Sequence, residues 1–276
     1  MNDFERQYYE NDDFWKDSLQ DANNRNRIER TASLIPNGIK TLADLGCGNG
    51  VFLNLIKRQR PELDLLGVDR SVAALKYVKT KTLQGSIDEL PFADNSFECT
   101  TCLEVIEHLP IDVYEKALAE IARVSSQYVI ISVPYNEVLE DSFNQCPQCR
   151  TSFSYEMHLR SFDDQRMDHL LKRFGFECVS KEYLGEQIRL AGYSSYRKLI
   201  HSEQLKRFVS PICPVCGYQN HDKELGSHLL SEPVNSVRRI TRKQKFTSLI
   251  TAIPKLFWLK KKSYYWILCL YKKSGL

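Results

Sequence analysis

Glycines at 46, 48 and 50 have the spacing that speaks most directly of chemistry in these 276 residues. The apolar run Leu42, Ala43, Leu45 stops at Gly46, and a helical apolar pattern starts at Val51 with Phe52, Leu53, Leu55 and Ile56. The glycines therefore form a tight turn between a strand and a helix. Such a turn lets a ligand touch bare backbone, while the N-terminus of the next helix turns N–H groups toward an anion. A second apolar run, Leu63–Val68, ends at Asp69, nineteen residues beyond Gly50. A carboxylate there can accept hydrogen bonds from both hydroxyls of a ribose. The ligand chemistry is that of a nucleotide-bearing molecule. A dinucleotide site wants G-x-G-x-x-G, and Val51 occupies the place of its third glycine.

Two cysteine pairs, Cys146-Pro-Gln-Cys149 and Cys213-Pro-Val-Cys216, offer a second chemistry. Thiolates spaced C-x-x-C suit one edge of a tetrahedral zinc site, and two pairs complete a closed, structural set of four sulfurs. Redox-active C-x-x-C pairs and metal-free buried thiols are the competing readings. The 63 residues between the pairs exceed a usual ribbon spacing, so sequence distance alone does not join them. Cys47, Cys99, Cys102, Cys178 and Cys269 lie in or beside apolar runs and read as small core residues.

The elements that must carry these residues alternate between the two regular types. Strands are predicted at Thr41–Leu45, Leu63–Val68, near Leu83, at Phe97–Leu103, Tyr128–Val133 and Phe176–Tyr183, with a closing strand at Tyr264–Tyr271. Between them lie helical patterns. Ser71 is a plausible N-cap for one carrying Val72, Leu75 and Val78. Asp112 with Glu115 has the capping-box spacing before Val113, Ala117, Leu118, Ile121 and Val124. Ser161 with Asp164 opens another, through Met167, Leu170, Leu171 and Phe174, which Gly175 stops. The alternation predicts an α/β fold, a parallel sheet wound on both faces.

The glycine spacing, with Asp44 ahead of it, resembles motif I of the class I S-adenosylmethionine-dependent methyltransferases. Gly67-Val-Asp69 is similar to that family's ribose-binding strand end, and Gly85-Ser-Ile-Asp-Glu-Leu-Pro-Phe-Ala-Asp-Asn-Ser-Phe97 to its adenine loop. Glu104-Val-Ile-Glu-His-Leu109 is similar to the fourth-strand end of the ubiquinone-methyltransferase-like branch. The resemblance implies a doubly wound, mostly parallel seven-stranded Rossmann-like sheet with an antiparallel last strand. It also implies S-adenosylmethionine as cofactor. Gly46, Gly48 and Gly50 would face its amino-acid portion, with Asp44 orienting the loop or meeting the ammonium. Asp69 would bind the ribose, and Ser86 and Ile87 the adenine. The family usually has Asp where Ser86 stands, so a hydroxyl replaces a carboxylate, with Asp88 as the substitute acceptor.

On this reading residues 1–40 form an N-terminal helical lid, where Trp15 packs on the core and Tyr8 and Tyr9 are open. Residues 41–184 are the methyltransferase core with a CPxC insertion at 136–160. Residues 185–254 are a second CPxC insertion, a substrate cap, and 255–276 the closing strand and basic C-terminus. The connections after the fifth strand and from the sixth into an antiparallel seventh leave the sheet at the same, ligand-bearing edge. That topology predicts one zinc held by Cys146, Cys149, Cys213 and Cys216, pinning both insertions.

Methyl transfer from a sulfonium mainly needs two reactants held in line, with a base only for a poor nucleophile such as an alcohol. His158 is the better candidate base, with His108 beside it in rank; a surface histidine or a spare zinc ligand is the bland alternative for His158. Glu104 reads as a cap of the following turn. The expected acceptor is a small molecule, a saccharide or a lipid-linked sugar phosphate, with RNA or protein methylation, or a noncatalytic binding module, as alternatives.

Composition sets outer bounds. The hydrophobic (42%) and charged (26%) fractions are those of a globular protein, not a disordered one. Met1-Asn-Asp-Phe-Glu-Arg is polar, which predicts no secretory signal and a cytoplasmic protein whose cysteines stay reduced. Residues 233–276 hold eleven Lys/Arg and no Asp or Glu, leaving the remainder net acidic. The basic end fits an anionic partner or a solvated surface. Its apolar stretch Phe246–Leu259 is too short to span a bilayer but fits either a last helical layer or peripheral contact at the inner membrane surface. Nucleic acid is disfavoured, because no aromatic-basic platform accompanies the charge.

Overall fold

The computed structural model describes Tyr9, Glu10, Asp12, Trp15, residues 22–146, 148–154 and 156–190, Cys213, Val215, Cys216, Tyr218 and residues 260–275. Two compact units emerge. The first comprises Met1–Leu139, Met157–Glu186 and Tyr264–Leu276; the second comprises Glu140–Glu156 and Gln187–Ser263.

The first unit is built on a seven-stranded sheet. Its strands are β1 (Thr41–Leu45), β2 (Asp64–Asp69), β3 (Lys81–Gln84), β4 (Phe97–Leu103), β5 (Ser125–Pro134), β8 (Phe176–Leu184) and β11 (Trp266–Lys273). The order is β3-β2-β1-β4-β5-β11-β8. Pairs among β1 to β5 are parallel, and β11 runs antiparallel to both neighbours. The wound, mostly parallel sheet with one reversed strand is as expected.

Strand periodicity explains the two covered faces. Successive strand residues point to opposite sides. Leu42 accordingly joins a core with Ile28, Leu53, Ile56 and Leu65, while Ala43 and Leu45 join another with Leu118, Ile121, Val129 and Met167. Helices α1 (Ala22–Ser33) and α2 (Val51–Gln59) contribute to the first core, α4 (Ile111–Val124) and α5 (Asp164–His169) to the second. Between them in sequence, α3 is only Val72–Leu75; Ser71 caps it as expected, its Oγ accepting from the Ala74 N–H at 3.0 Å, but Val72 is exposed rather than sharing an apolar face.

Two expected caps are corrected. Helix α4 starts after Pro110, and no side chain caps it. Asp112 and Glu115 thus sit too far into the helix to form a capping box, and Glu115 pairs instead with Arg173. Helix α5 is capped by Asp163, whose carboxylate accepts from the Arg166 N–H at 2.8 Å, and not by Ser161 with Asp164. Gly175 does end the following 3-10 turn, at φ 81°.

The C-terminal ends of β1, β2, β4, β5 and β8 share one edge, where β11 begins opposite Pro134 and Leu184. The first unit is interrupted after Leu139 and after Glu186, both just beyond strands that end on that edge. In the second unit, β6 (Phe143–Gln145) pairs antiparallel with β7 (Ser152–Ser154), and β9 (Gln187–Leu190) with β10 (Lys260–Ser263). Among the described residues no helix is long and apolar enough to cross a membrane. Tyr8 and the basic apolar stretch 246–259 lie outside the described residues.

Candidate ligand cleft and metal-binding clusters

Gly46, Gly48 and Gly50 all take left-handed backbone, at φ 81°, 51° and 70°. A Cβ at Gly46 would lie 2.5 Å from Val105 Cγ2, and one at Gly50 would lie 3.0 Å from the Val78 main chain. Only glycine fits such positions without strain. Gly46 and Cys47 donate their N–H groups to Val68 O, and Gly50 donates to Cys47 O. Val105, Trp15 and Val78 fill the space where side chains of these glycines would stand, and the turn leads into the N-terminus of α2.

Asp69 ties this loop to the next strand end. Its Oδ2 accepts from Gly48 N–H at 2.7 Å and its Oδ1 from Ser71 N–H at 2.8 Å. Burial pushes its carboxyl up, and these N–H groups pull it back down. A carboxylate has about four acceptor directions, so two bonds leave capacity for ligand hydroxyls. The N-terminal segment reaches the same loop. Trp15 stands against Gly48, and its carbonyl accepts from Asn49 Nδ2 at 2.7 Å. Glu10 takes the N–H groups of Val72 and Ala73 at 3.0 and 3.1 Å, and Tyr9 O takes Ser71 Oγ at 2.6 Å. Trp15, expected on the core, instead packs on the glycine loop, and Tyr9 enters through its carbonyl.

Asp44, at the end of β1, is buried and accepts from Thr101 Oγ1 at 2.6 Å. Burial pushes its carboxyl up to about 7; the Asp69 charge adds to this, while the Thr101 hydroxyl and Arg27 oppose it. The folded protein thus keeps a proton that the unfolded chain releases near pH 4. Stability from this group is full below that pH and is lost as pH rises toward 7. Between about pH 5 and pH 7 the ligand-free wild type should lose about 2–3 kcal/mol relative to Asp44→Asn. Parallel pH–stability curves for the two proteins in urea would remove the protonated Asp44.

Glu104 does not cap the turn after β4. It takes φ 58° and accepts from Ser132 Oγ and Trp266 Nε1, each at 2.8 Å, with Arg27 3.8 Å away. At the adenine-loop position, the Ser86 hydroxyl donates to Asp88 and Ile87 is buried. The pair brings the expected substitute carboxylate beside Ser86.

His108 and His158 stack edge to face, ring centroids 4.7 Å apart. His108 Nδ1 donates to Met157 O at 3.3 Å, and His158 Nδ1 lies 2.6 Å from Glu137 Oε2. Burial, with His158 beside it, pushes the His108 imidazolium down to about 3, so that ring is neutral at physiological pH. Next to them Glu107 is fully buried, and among the described residues neither of its carboxylate oxygens has a hydrogen-bond partner.

In the second unit, Cys146 Sγ and Cys216 Sγ are 3.6 Å apart, as are Cys149 Sγ and Cys213 Sγ, and all four sulfurs lie within 4.8 Å of one another. No disulfide joins them. A tetrahedron with Zn–S near 2.3 Å has edges of about 3.8 Å, whereas a disulfide needs about 2.05 Å. The hairpin β6–β7 carries the first knuckle: Cys146 N–H donates to Thr151 O and Arg150 N–H to Cys146 O, both at 2.9 Å, with Arg150 at φ 64°. Cys149 N–H points at Cys146 Sγ, 3.5 Å away. These four residues fit a zinc ion.

Every cofactor- and metal-site residue expected from sequence is thus described, and the histidines meet. Glu107 and Glu137 were missed. Glu107 lies beside His108 between the apolar residues Val105, Ile106 and Leu109, a weak signal that does not set it apart from an exposed acid, and nothing local marks Glu137.

Residues 43–131 match the family model described as a methyltransferase domain. An uncharacterised protein of Methanocaldococcus jannaschii is 35% identical over 107 residues, 37% of this chain and 44% of that one. A ubiquinone biosynthesis O-methyltransferase of Alkalilimnicola ehrlichii is 32% identical over 81 residues, 26% and 32% of the two chains. The chain spans less than half the length of either relative. A SAM-dependent methyltransferase structure from Archaeoglobus fulgidus superposes with TM-score 0.51 over 90% of this chain and 94% of that one, at 16% identity, a likeness of fold.

Proposed function

We propose that this chain, a class I methyltransferase by its fold and by the domain at residues 43–131, transfers a methyl group from S-adenosylmethionine to a hydroxyl of a small molecule, saccharide or lipid-linked sugar. The observation that carries this is the left-handed glycine turn held by a carboxylate, Gly48 N–H on Asp69. Bound S-adenosylmethionine supplies a methyl group on a sulfonium that departs as a neutral thioether. The residues around it then have defined tasks. The glycine turn lets the amino-acid portion approach the main chain, and Asp69 takes the ribose hydroxyls. Asp44 faces the ammonium, which would draw off its proton. Asp88 with Ser86 accepts from the adenine amine, and Ile87 covers the ring. His108 and His158 receive the acceptor hydroxyl.

Cys146, Cys149, Cys213 and Cys216 hold one structural zinc, which orders the inserted unit, residues 140–156 and 187–263. That unit serves as the acceptor-selecting cap. Peripheral membrane contact would run through residues 246–259, and liposome flotation tests it.

Calorimetry with S-adenosylmethionine and S-adenosylhomocysteine should give one site for each. Release of S-adenosylhomocysteine should then pick out nucleotide sugars or lipid-linked glycans from a panel that includes RNA and protein. Binding of neither cofactor form would reduce the chain to a noncatalytic module, and turnover on RNA alone would replace the acceptor class.

A further inference from the structure

Glu107 poses a physical problem that the methyl-transfer reading leaves unsolved. A buried carboxyl with no partner is costly whether charged or protonated, because the anion lacks donors and the acid lacks an acceptor. Here both oxygens lack a hydrogen-bond partner among the described residues, and the side chain is 1% exposed. The nearest basic group is His108 Nε2, 3.8 Å from Oε1. The carboxylates of Glu104 and Glu137 add negative field to the same place, which the residue's own N–H and the Arg27 charge offset only in part.

The two histidines are oriented in a particular way. Each turns Nδ1 to an oxygen, His108 to Met157 O and His158 to the Glu137 carboxylate. That fixes the tautomer and leaves Nε2 as the nitrogen each ring keeps for a ligand. A carboxylate or carbonyl behind Nδ1 is the usual support of a metal-bound imidazole. One ligand atom from each of Glu107, His108 and His158 lies within 4.8 Å of the others.

We propose that Glu107, His108 and His158 bind a divalent first-row transition ion, separate from the four-cysteine cluster, whose open positions take the acceptor hydroxyl. Two imidazoles and one carboxylate favour Mn²⁺, Fe²⁺ or Zn²⁺ over Mg²⁺ or Ca²⁺. Three protein ligands leave positions open, as a catalytic site requires and a structural one does not. Resting on the methyltransferase reading, the metal has a definite task. A coordinated hydroxyl loses its proton near neutral pH. The proton goes to water, the alkoxide oxygen forms its bond to the methyl carbon, and the C–S bond electrons return to sulfur. Val105, which packs on Gly46, belongs to the same turn as Glu107 and His108, so the metal adjoins the cofactor loop.

The test uses full-length protein carrying one zinc per chain, that of the four-cysteine cluster, titrated with Mn²⁺ and followed by electron paramagnetic resonance. One bound Mn²⁺ per chain is expected. Glu107→Gln and His158→Ala should weaken it by at least about a hundredfold, and Glu137→Gln by about 10–100-fold. Affinity for S-adenosylmethionine, measured by calorimetry, should stay within about threefold in all three variants. Without metal, Glu107→Gln should melt no lower than wild type, since it removes an unpaired buried acid; should it fail to fold, Glu137→Gln carries the test. Absence of bound Mn²⁺ in the wild type, or wild-type Mn²⁺ affinity in the variants, overturns the site. Mn²⁺ binding without any S-adenosylmethionine binding would keep the metal and discard the methyltransferase reading.

Discussion

Replacing Cys146 by Ser should strip the zinc from the purified protein and unfold the inserted unit, while the sheet unit keeps its cofactor affinity. Cys146 and Cys213 are buried, and four sulfurs close on one point. The described strands of that unit form two short pairs, β6–β7 and β9–β10. Strand pairs this short bury little apolar surface of their own and need a staple. Structural zinc in small domains contributes on the order of 10–16 kcal/mol of apparent free energy at neutral pH, and without it such domains are unfolded. Metal analysis should find about one zinc per chain in wild type and far less in the variant. Limited proteolysis should then cut the variant within residues 140–156 and 187–263 and spare the sheet. Zinc-free wild type with an equally resistant insertion would return the cysteines to the redox or buried-thiol readings.

Much of this was legible because it depends on local pattern. Gly46, Gly48 and Gly50 declare a turn that side chains would block, whatever surrounds them. Asp69 announces itself by ending an apolar run. The cysteine pairs carry their chemistry in their spacing, and the alternation of Leu42, Ala43 and Leu45 already contains the two covered faces of the sheet. The misses share a different origin. Asp112 and Glu115 have capping-box spacing, but Pro110 starts the helix and moves both out of register. Glu107 looks like any charged residue beside a histidine until the fold encloses it. Its partners His158 and Glu137 come from distant segments that only meet in three dimensions. Trp15 on Gly48 is likewise a tertiary contact that no period encodes.

Asp69→Ala should weaken S-adenosylmethionine and S-adenosylhomocysteine binding about tenfold or more, a loss on the order of 1.4 kcal/mol or greater. Two separate effects combine. On the proposed binding mode the ribose hydroxyls lose their acceptor, and Gly48 N–H and Ser71 N–H lose theirs. A stranded buried N–H costs about 1–3 kcal/mol, and Gly48 belongs to the turn that the cofactor must touch, so the loop itself loosens. Asp69→Asn separates shape from charge. Asn keeps the volume but has one acceptor oxygen, so its amide nitrogen must point at one of the two N–H donors. It should therefore bind cofactor nearly as poorly as the Ala variant, which a simple loss of bulk would not produce. Calorimetry on both variants, with thermal unfolding alongside, makes the comparison. Cofactor affinity unchanged in Asp69→Ala would dissociate this carboxylate from the ribose, and full affinity in Asp69→Asn would show that the paired N–H bonds contribute nothing to the cleft.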